Sequence, residues 1–223
     1  MNATSHLYAA KPEDYFSGAR HDMVADLPAN PDAAILELGC GDGSTGALVR
    51  AANKTSNYVG IELDPVAAAR ARTRLTSVIV GDIATLDLSA HDARFDAVIA
   101  SEVLEHLVDP WEALAKLASC LKPGGLLLAS SPNLAHWRVI TRLMRGHFDH
   151  SETGVMDRSH LRWFTPKSYA GLIQSAGLIV DRLQPITPPA TRTRLLNKLT
   201  GHRIEHLFMT QIYVMAHKPS STS

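Results

Sequence analysis

Residues Ile35 to Gly43 read Ile-Leu-Glu-Leu-Gly-Cys-Gly-Asp-Gly, and this run narrows the possible folds more than any other stretch. An apolar strand gives way after Glu37 to a glycine-rich turn, and Ser44 then opens a helix. Glycines allow positive φ and let backbone approach a ligand closely, and the start of the following helix offers free N–H groups. Such a turn suits a nucleotide-like cofactor, but the glycines alone do not say which one. Gly41, Gly43 and Gly46 also satisfy G-x-G-x-x-G, the dinucleotide fingerprint.

From Ala33 onward short apolar runs alternate with helical patterns, which predicts a parallel sheet covered by helices. The strand candidates are Ala34–Leu38, Tyr58–Leu63, Val78–Val80, Phe95–Ala100 and Leu126–Ser130, with two later ones at Leu178–Gln184 and Gln211–Ala216. Asp64-Pro65, Asp109-Pro110 and Thr165-Pro166 each put a capping side chain before a proline at the first helical position. Glu112 follows Asp109 at the spacing of a capping box. Lys122-Pro-Gly-Gly125 reads as a turn that ends one helix and feeds the fifth strand. The rhythm breaks over residues 131–164, a polar, aromatic and basic insertion before the helix starting at Pro166. The organisation expected is an N-terminal helical lid over residues 1–30, one domain over 31–218 carrying this insertion, and a disordered tail at 219–223.

The carboxyl edge of an open α/β sheet is where such folds bind ligands. Glu37 lies before the glycine turn, Glu62-Leu63 at the end of the second strand, Asp82-Ile83 after the third, and Ser101-Glu102 after the fourth. Acids at successive strand ends suit a ligand with hydroxyls, an amine and an ammonium group, and suit a pyrophosphate poorly. That charge argument favours S-adenosylmethionine (SAM) over a nicotinamide cofactor.

With Glu37-Leu-Gly-Cys-Gly-Asp-Gly43, Glu62, Gly81-Asp82, Phe95-Asp96 and Lys122-Pro-Gly-Gly125 in this order, the chain resembles the class I SAM-dependent methyltransferases over roughly residues 33–185. The resemblance implies a Rossmann-like three-layer α/β sandwich, its seven-stranded sheet mostly parallel with an antiparallel last strand. It also implies that Glu37 approaches the methionine ammonium, that Gly39, Cys40 and Gly41 line the cofactor, that Glu62 and Leu63 hold the ribose, and that Asp82 and Ile83 hold the adenine. Ser101 completes this edge.

Ser101-Glu-Val-Leu-Glu-His-Leu107 resembles the segment after strand four in the ubiquinone-pathway O-methyltransferases. Glu102, Glu105 and His106 would share one face of a helical piece and could bind a divalent cation, as a comparable motif does in small-RNA terminal methyltransferases. The positive cofactor can balance the acids, so the expectation is a site without metal.

Five of the 22 Lys and Arg, and four of the 11 His, fall in residues 131–164, with Trp137, Phe148, Trp163 and Phe164. Two readings stand: a basic, aromatic wall for an anionic or phosphorylated acceptor, or an amphipathic helix Leu134–Arg145 with Trp137, Ile140, Leu143 and Met144 packed inward. Asp157-Arg-Ser-His160-Leu-Arg-Trp-Phe164 resembles a segment of bacterial methyltransferases linked to glycans and secondary metabolites. Pro132-Asn133-x-x-His136-Trp137-Arg138 resembles the MetW proteins, which implies, as an alternative, a regulatory or partner role on the same scaffold. The activity expected is methylation of a small molecule, chiefly at a hydroxyl of a sugar, phenolic or secondary-metabolite acceptor, with N-methylation open. Histidine is the usual base for such a hydroxyl. His160 leads, nearby Arg158 and Arg162 disfavouring its protonation, with His106 and His136 behind it.

Tyr15, Phe16 and Arg20 are expected to close over the cofactor from the N-terminal lid. Lys plus Arg equals Asp plus Glu at 22 each, so no global field recruits nucleic acid or a membrane surface. No apolar run approaches the ~20 residues of a membrane helix, and Cys40 and Cys120 read as reduced. These features predict a cytoplasmic monomer or homodimer.

Overall fold

A computed structural model of the chain describes residues 18–188, 190–201 and 203–220, the side chains of Arg192, Leu195 and Leu196 excepted. Seven strands form one sheet: β1 Ala34–Leu38, β2 Asn57–Glu62, β3 Ser77–Val80, β4 Phe95–Ser101, β5 Leu121–Pro132, β6 Ile179–Pro185 and β7 Gln211–His217. Their order is β3-β2-β1-β4-β5-β7-β6. β7 runs antiparallel to both β5 and β6, while the β3-β2-β1-β4-β5 pairings are all parallel. The topology is the one the resemblance implied.

The described helices are α1 His21–Asp26, α2 Ser44–Ala51, α3 Pro65–Ala71, α4 Pro110–Cys120, α5 Trp137–Met144, α6 Pro166–Ser175 and α7 Thr191–Leu199. The side-chain alternation of the central strands divides the core in two. Ile35, Ala97, Ile99 and Leu128 pack with Met23, Val49, Tyr58 and Ala71 under α1, α2 and α3. Leu36, Leu38, Val98, Ala100, Leu127 and Ala129 pack with Leu114, Leu117, Leu172 and Ile173 under α4 and α6. Central parallel strands buried on both faces have no room for polar side chains. Chemistry is therefore pushed to the sheet's carboxyl edge.

The proline-marked helix starts form as the sequence implies. Asp64 accepts from the Ala67 N–H at 2.7 Å, and Asp109 from the Glu112 N–H at 3.0 Å. Thr165 and Ser168 complete a reciprocal capping box. Glu112 departs from the box expected of it: its carboxylate pairs with Lys116 at 3.0 Å, one turn on. Lys122-Pro-Gly-Gly125 also differs from a simple turn. β5 begins at Leu121 and runs through it with a register shift against β4 at Phe95/Ala97, and the Gly124 N–H donates to Lys218 O at 2.8 Å.

Within residues 1–30, Met23, Val24 and Leu27 are core residues. Asp26 accepts from the Tyr213 hydroxyl at 2.7 Å and pairs with Arg182, tying α1 to β7 and β6. Tyr15 and Phe16 lie outside the described residues.

The inward packing of the insertion helix is overturned. α5 buries none of its residues, and Trp137, Leu143 and Met144 are exposed. The helix follows β5 past the end of the sheet, and among the described residues no core layer receives it.

Leu117, fully buried between α4 and the sheet, gives a direct check of this packing. Leu117→Ala should cost about 2–5 kcal/mol through lost burial and the cavity left behind, read from urea unfolding midpoints at unchanged slope.

Candidate functional site

A cavity of about 970 Å³ opens along the carboxyl ends of β1, β2, β3 and β4, at the upper end of the range for small-molecule sites. The turn after β1 forms its floor. Gly39 and Gly41 hold φ values of +71° and +54°, a conformation that L side chains rarely adopt. A Cβ at position 39 would stand 3.2 Å from Val103 Cγ2, a tight contact that adds to the dihedral preference for glycine there.

Glu62, at the end of β2, is buried, and both its oxygens are engaged by backbone. Oε2 accepts from the Gly41 N–H and Oε1 from the Asp64 N–H, each at 2.8 Å. Burial raises its pKa against these amide donors. Each carboxylate oxygen keeps a second lone pair, so the group can still accept from a vicinal diol. Glu37 is buried at the end of β1, where the Tyr58 hydroxyl donates to its Oε2 at 2.8 Å. Burial, opposed by hydrogen bonds from Tyr58 and Thr45, pushes its pKa up to about 7. Burial also pushes the Cys40 thiol up, with the Glu37 and Glu62 charges adding to it, and Cys40 lines the cavity as a neutral thiol. Leu63, Asp82, Ile83 and Ser101 line the same cavity, and Asp82 accepts from the Ala84 N–H at 3.0 Å.

Arg20 reaches this edge from before α1. Its guanidinium donates to the Ser101 hydroxyl and, at 2.8 Å, to the Ser130 hydroxyl, and pairs with Asp22 at 2.7 Å. One residue thus spans the ends of β4 and β5.

The far side of the cavity is built by the insertion folding back on the turn after β4. The Glu105 carbonyl accepts from both the Leu161 and Arg162 N–H groups at 2.9 Å. His106 Nδ1 lies 3.1 Å from Ser159 O, and His160 Nδ1 lies 3.0 Å from Val155 O. The two imidazoles meet edge to face with centroids 4.7 Å apart. His106 and His160, 54 positions apart, are therefore brought together, and both line the cavity. His136 does not line it. It N-caps α5, accepting from the Arg138 N–H at 3.4 Å, and is set aside as a base.

The basic, aromatic wall is likewise not found. Arg138, Arg142, Arg145, Arg158 and Arg162 all miss the cavity, as do Trp137, Phe148, Trp163 and Phe164. Arg158 pairs with Glu152 at the surface at 2.7 Å. Among the described residues, nine acidic ones line the cavity against one arginine, Arg20. Gln211, at the start of β7, had no sequence signal for a place here. It donates to Glu102, which holds a strained φ of +50°. Only the antiparallel return of the chain brings it to this edge.

An acid-lined cavity over a glycine turn, with a buried carboxylate at the second strand end, defines the class I SAM-dependent methyltransferase arrangement. The residues fit that cofactor: Glu62 for a ribose diol, Glu37 for an ammonium, and a turn whose positive-φ glycines let backbone line the cavity. The methyltransferase domain family matches residues 11–183, and the chain belongs to it. It is similar to a probable S-adenosylmethionine-dependent methyltransferase of Mycolicibacterium smegmatis, 28% identical over 173 residues, covering 76% of this chain and 62% of that protein. A ubiquinone biosynthesis O-methyltransferase of Xanthomonas campestris is 37% identical over 128 residues, covering 55% of this chain and 53% of that protein. The chain thus spans little more than half the length of these curated relatives. A SAM-dependent methyltransferase structure from Archaeoglobus fulgidus superposes with a TM-score of 0.64 at 19% identity, covering 92% of this chain and 97% of that one, which shows the shared fold.

Two outcomes check the cofactor side. Glu62→Ala should weaken binding of S-adenosylhomocysteine (SAH) by on the order of 1.5–3 kcal/mol, measured by calorimetry; unchanged affinity would refute the ribose assignment. Glu37 at about 7 should lose its proton when an ammonium binds beside it, because a neighbouring positive charge favours the carboxylate. SAH affinity should then fall as pH drops below about 7. Calorimetry in buffers of different ionisation enthalpy should register proton release, absent in Glu37→Gln.

Proposed function

We propose that this protein is a methyltransferase that carries a methyl group from SAM to a hydroxyl of a neutral small molecule, such as a sugar or a phenol. The observation that carries the reading is the His106–His160 pair with buried Glu105, in the same cavity as the Glu37–Glu62 cradle. Bound in that cradle, SAM supplies a methyl group already activated on a sulfonium. What remains for the protein is alignment and removal of the acceptor's proton.

Glu62 and the Gly39–Gly41 turn fix the cofactor end. On the acceptor side a backbone carbonyl can only accept, so the hydrogen of each neutral imidazole sits on Nδ1 and the lone pair on Nε2. That is the tautomer needed at a site where a hydroxyl proton is to be lost. The surplus of acids supports a neutral acceptor over an anionic one, since a second anion among them would be repelled. The ubiquinone relative's name, an O-methyltransferase, supports oxygen as the acceptor atom.

The test is SAH release with radiolabelled SAM against a panel of phenolic and sugar acceptors. Turnover of a hydroxyl acceptor is expected; turnover confined to amines would move the assignment to N-methylation. With an acceptor in hand, His160→Ala should lower kcat by roughly 10²–10⁴-fold while SAM affinity stays near that of the parent. An unchanged kcat would remove His160 from the reaction.

A further inference from the structure

We propose that Glu105, His106 and His160 form a binding site for a divalent transition-metal ion, of the type that takes two imidazoles and one carboxylate. This deepens the reading of that cluster as the acceptor side of the site, and rests on it only for the ion's use in methyl transfer. Each residue offers one ligand atom, and these atoms lie within 4.8 Å of one another, close enough to converge on one ion with small side-chain adjustments. All three residues are buried yet line the cavity. An ion there would be held from the protein side and keep coordination positions toward the ligand space.

Two independent features point to a cation. The Glu105 side chain is 1% exposed, and neither of its carboxylate oxygens has a hydrogen-bond partner. The Ser131 hydroxyl, close enough to influence the carboxyl, does not complete a bond with it. A carboxyl buried without donors is costly, and a cation supplies what the protein around it does not. Second, both histidines present Nδ1 to a backbone carbonyl, Ser159 O and Val155 O. That contact fixes ring orientation and leaves Nε2 as the donor atom, the outer-shell arrangement of metal-ligating histidines.

The donor set differs from the Glu102, Glu105 and His106 trio suggested by sequence spacing. Glu102 is engaged by Gln211 and faces the Arg20 charge, and His160 takes its place. Two nitrogens and one oxygen suit Zn²⁺ or Co²⁺ better than Mg²⁺, which prefers oxygen ligands. With an ion bound, the imidazoles serve as ligands in place of a base, and an acceptor hydroxyl coordinated in an open position would be acidified by the ion and lose its proton to water.

The experiment is titration of tag-free, chelator-treated protein with Co²⁺, followed by visible d–d absorption, with Zn²⁺ competition by calorimetry. One ion per chain is expected, displaced by Zn²⁺. Affinity should fall about 10- to 100-fold or more in His160→Gln and in His106→Gln, and should hold in a His147→Ala, His150→Ala double variant, whose exposed histidines are the competing ligands. SAH binding by the glutamine variants reports that they are folded. No stoichiometric uptake, or uptake unchanged in both glutamine variants, overturns the site. Co²⁺ uptake by a parent protein that fails to bind SAH would leave the metal site standing and defeat the methyltransferase reading. SAH binding without Co²⁺ uptake would do the reverse.

Discussion

Burial of the central strands on both faces is the constraint on which the rest of this structure depends. With α1, α2 and α3 on one side and α4 and α6 on the other, β1, β4 and β5 have no solvent-facing row. Polar chemistry can then appear only where the strands end. Glu37, Glu62, Asp82 and Ser101 emerge there in succession because successive strand ends share one edge. The cradle is a consequence of the sheet before it is a property of any motif.

Glu37 shows the cost of that arrangement. It is the residue of β1 at which the apolar pattern breaks, and it stays buried, held by Tyr58 and Thr45 with a pKa near 7. A carboxyl kept this close to neutrality is poised to respond to a positive ligand. The Gly41 N–H on Glu62 makes the second coupling, because it joins the glycine turn to the buried carboxylate at the end of β2. A disturbance in the turn therefore reaches Glu62 directly.

The histidine side of the cavity obeys a different logic. No strand end delivers His160. It arrives because the Glu105 carbonyl receives two amides from the returning insertion, and because each histidine is fixed by a carbonyl of that insertion. Backbone hydrogen bonding places these side chains, and backbone bonding leaves no mark in residue type. The exposed apolar face of α5 teaches the same lesson. Its periodicity is strong, yet among the described residues the helix projects past the sheet and packs against no core layer.

The sequence by itself determined the local and the periodic. The strand runs, the three proline-marked helix caps, the glycine turn, and the acids about one βα unit apart are all written within a few residues of where they act. Local propensity and alternating burial are short-range physics, so the fold and the cofactor edge could be read without coordinates. Tertiary structure alone decided which of three histidines meet, that Arg158 and the aromatic residues turn away from the cavity, and that Glu105 rather than Glu102 is the isolated carboxyl. It also decided that Gln211 reaches Glu102 across the antiparallel return of β7. Those outcomes depend on how two distant loops are stitched together by main-chain hydrogen bonds, whose donors and acceptors are the same in every residue but proline.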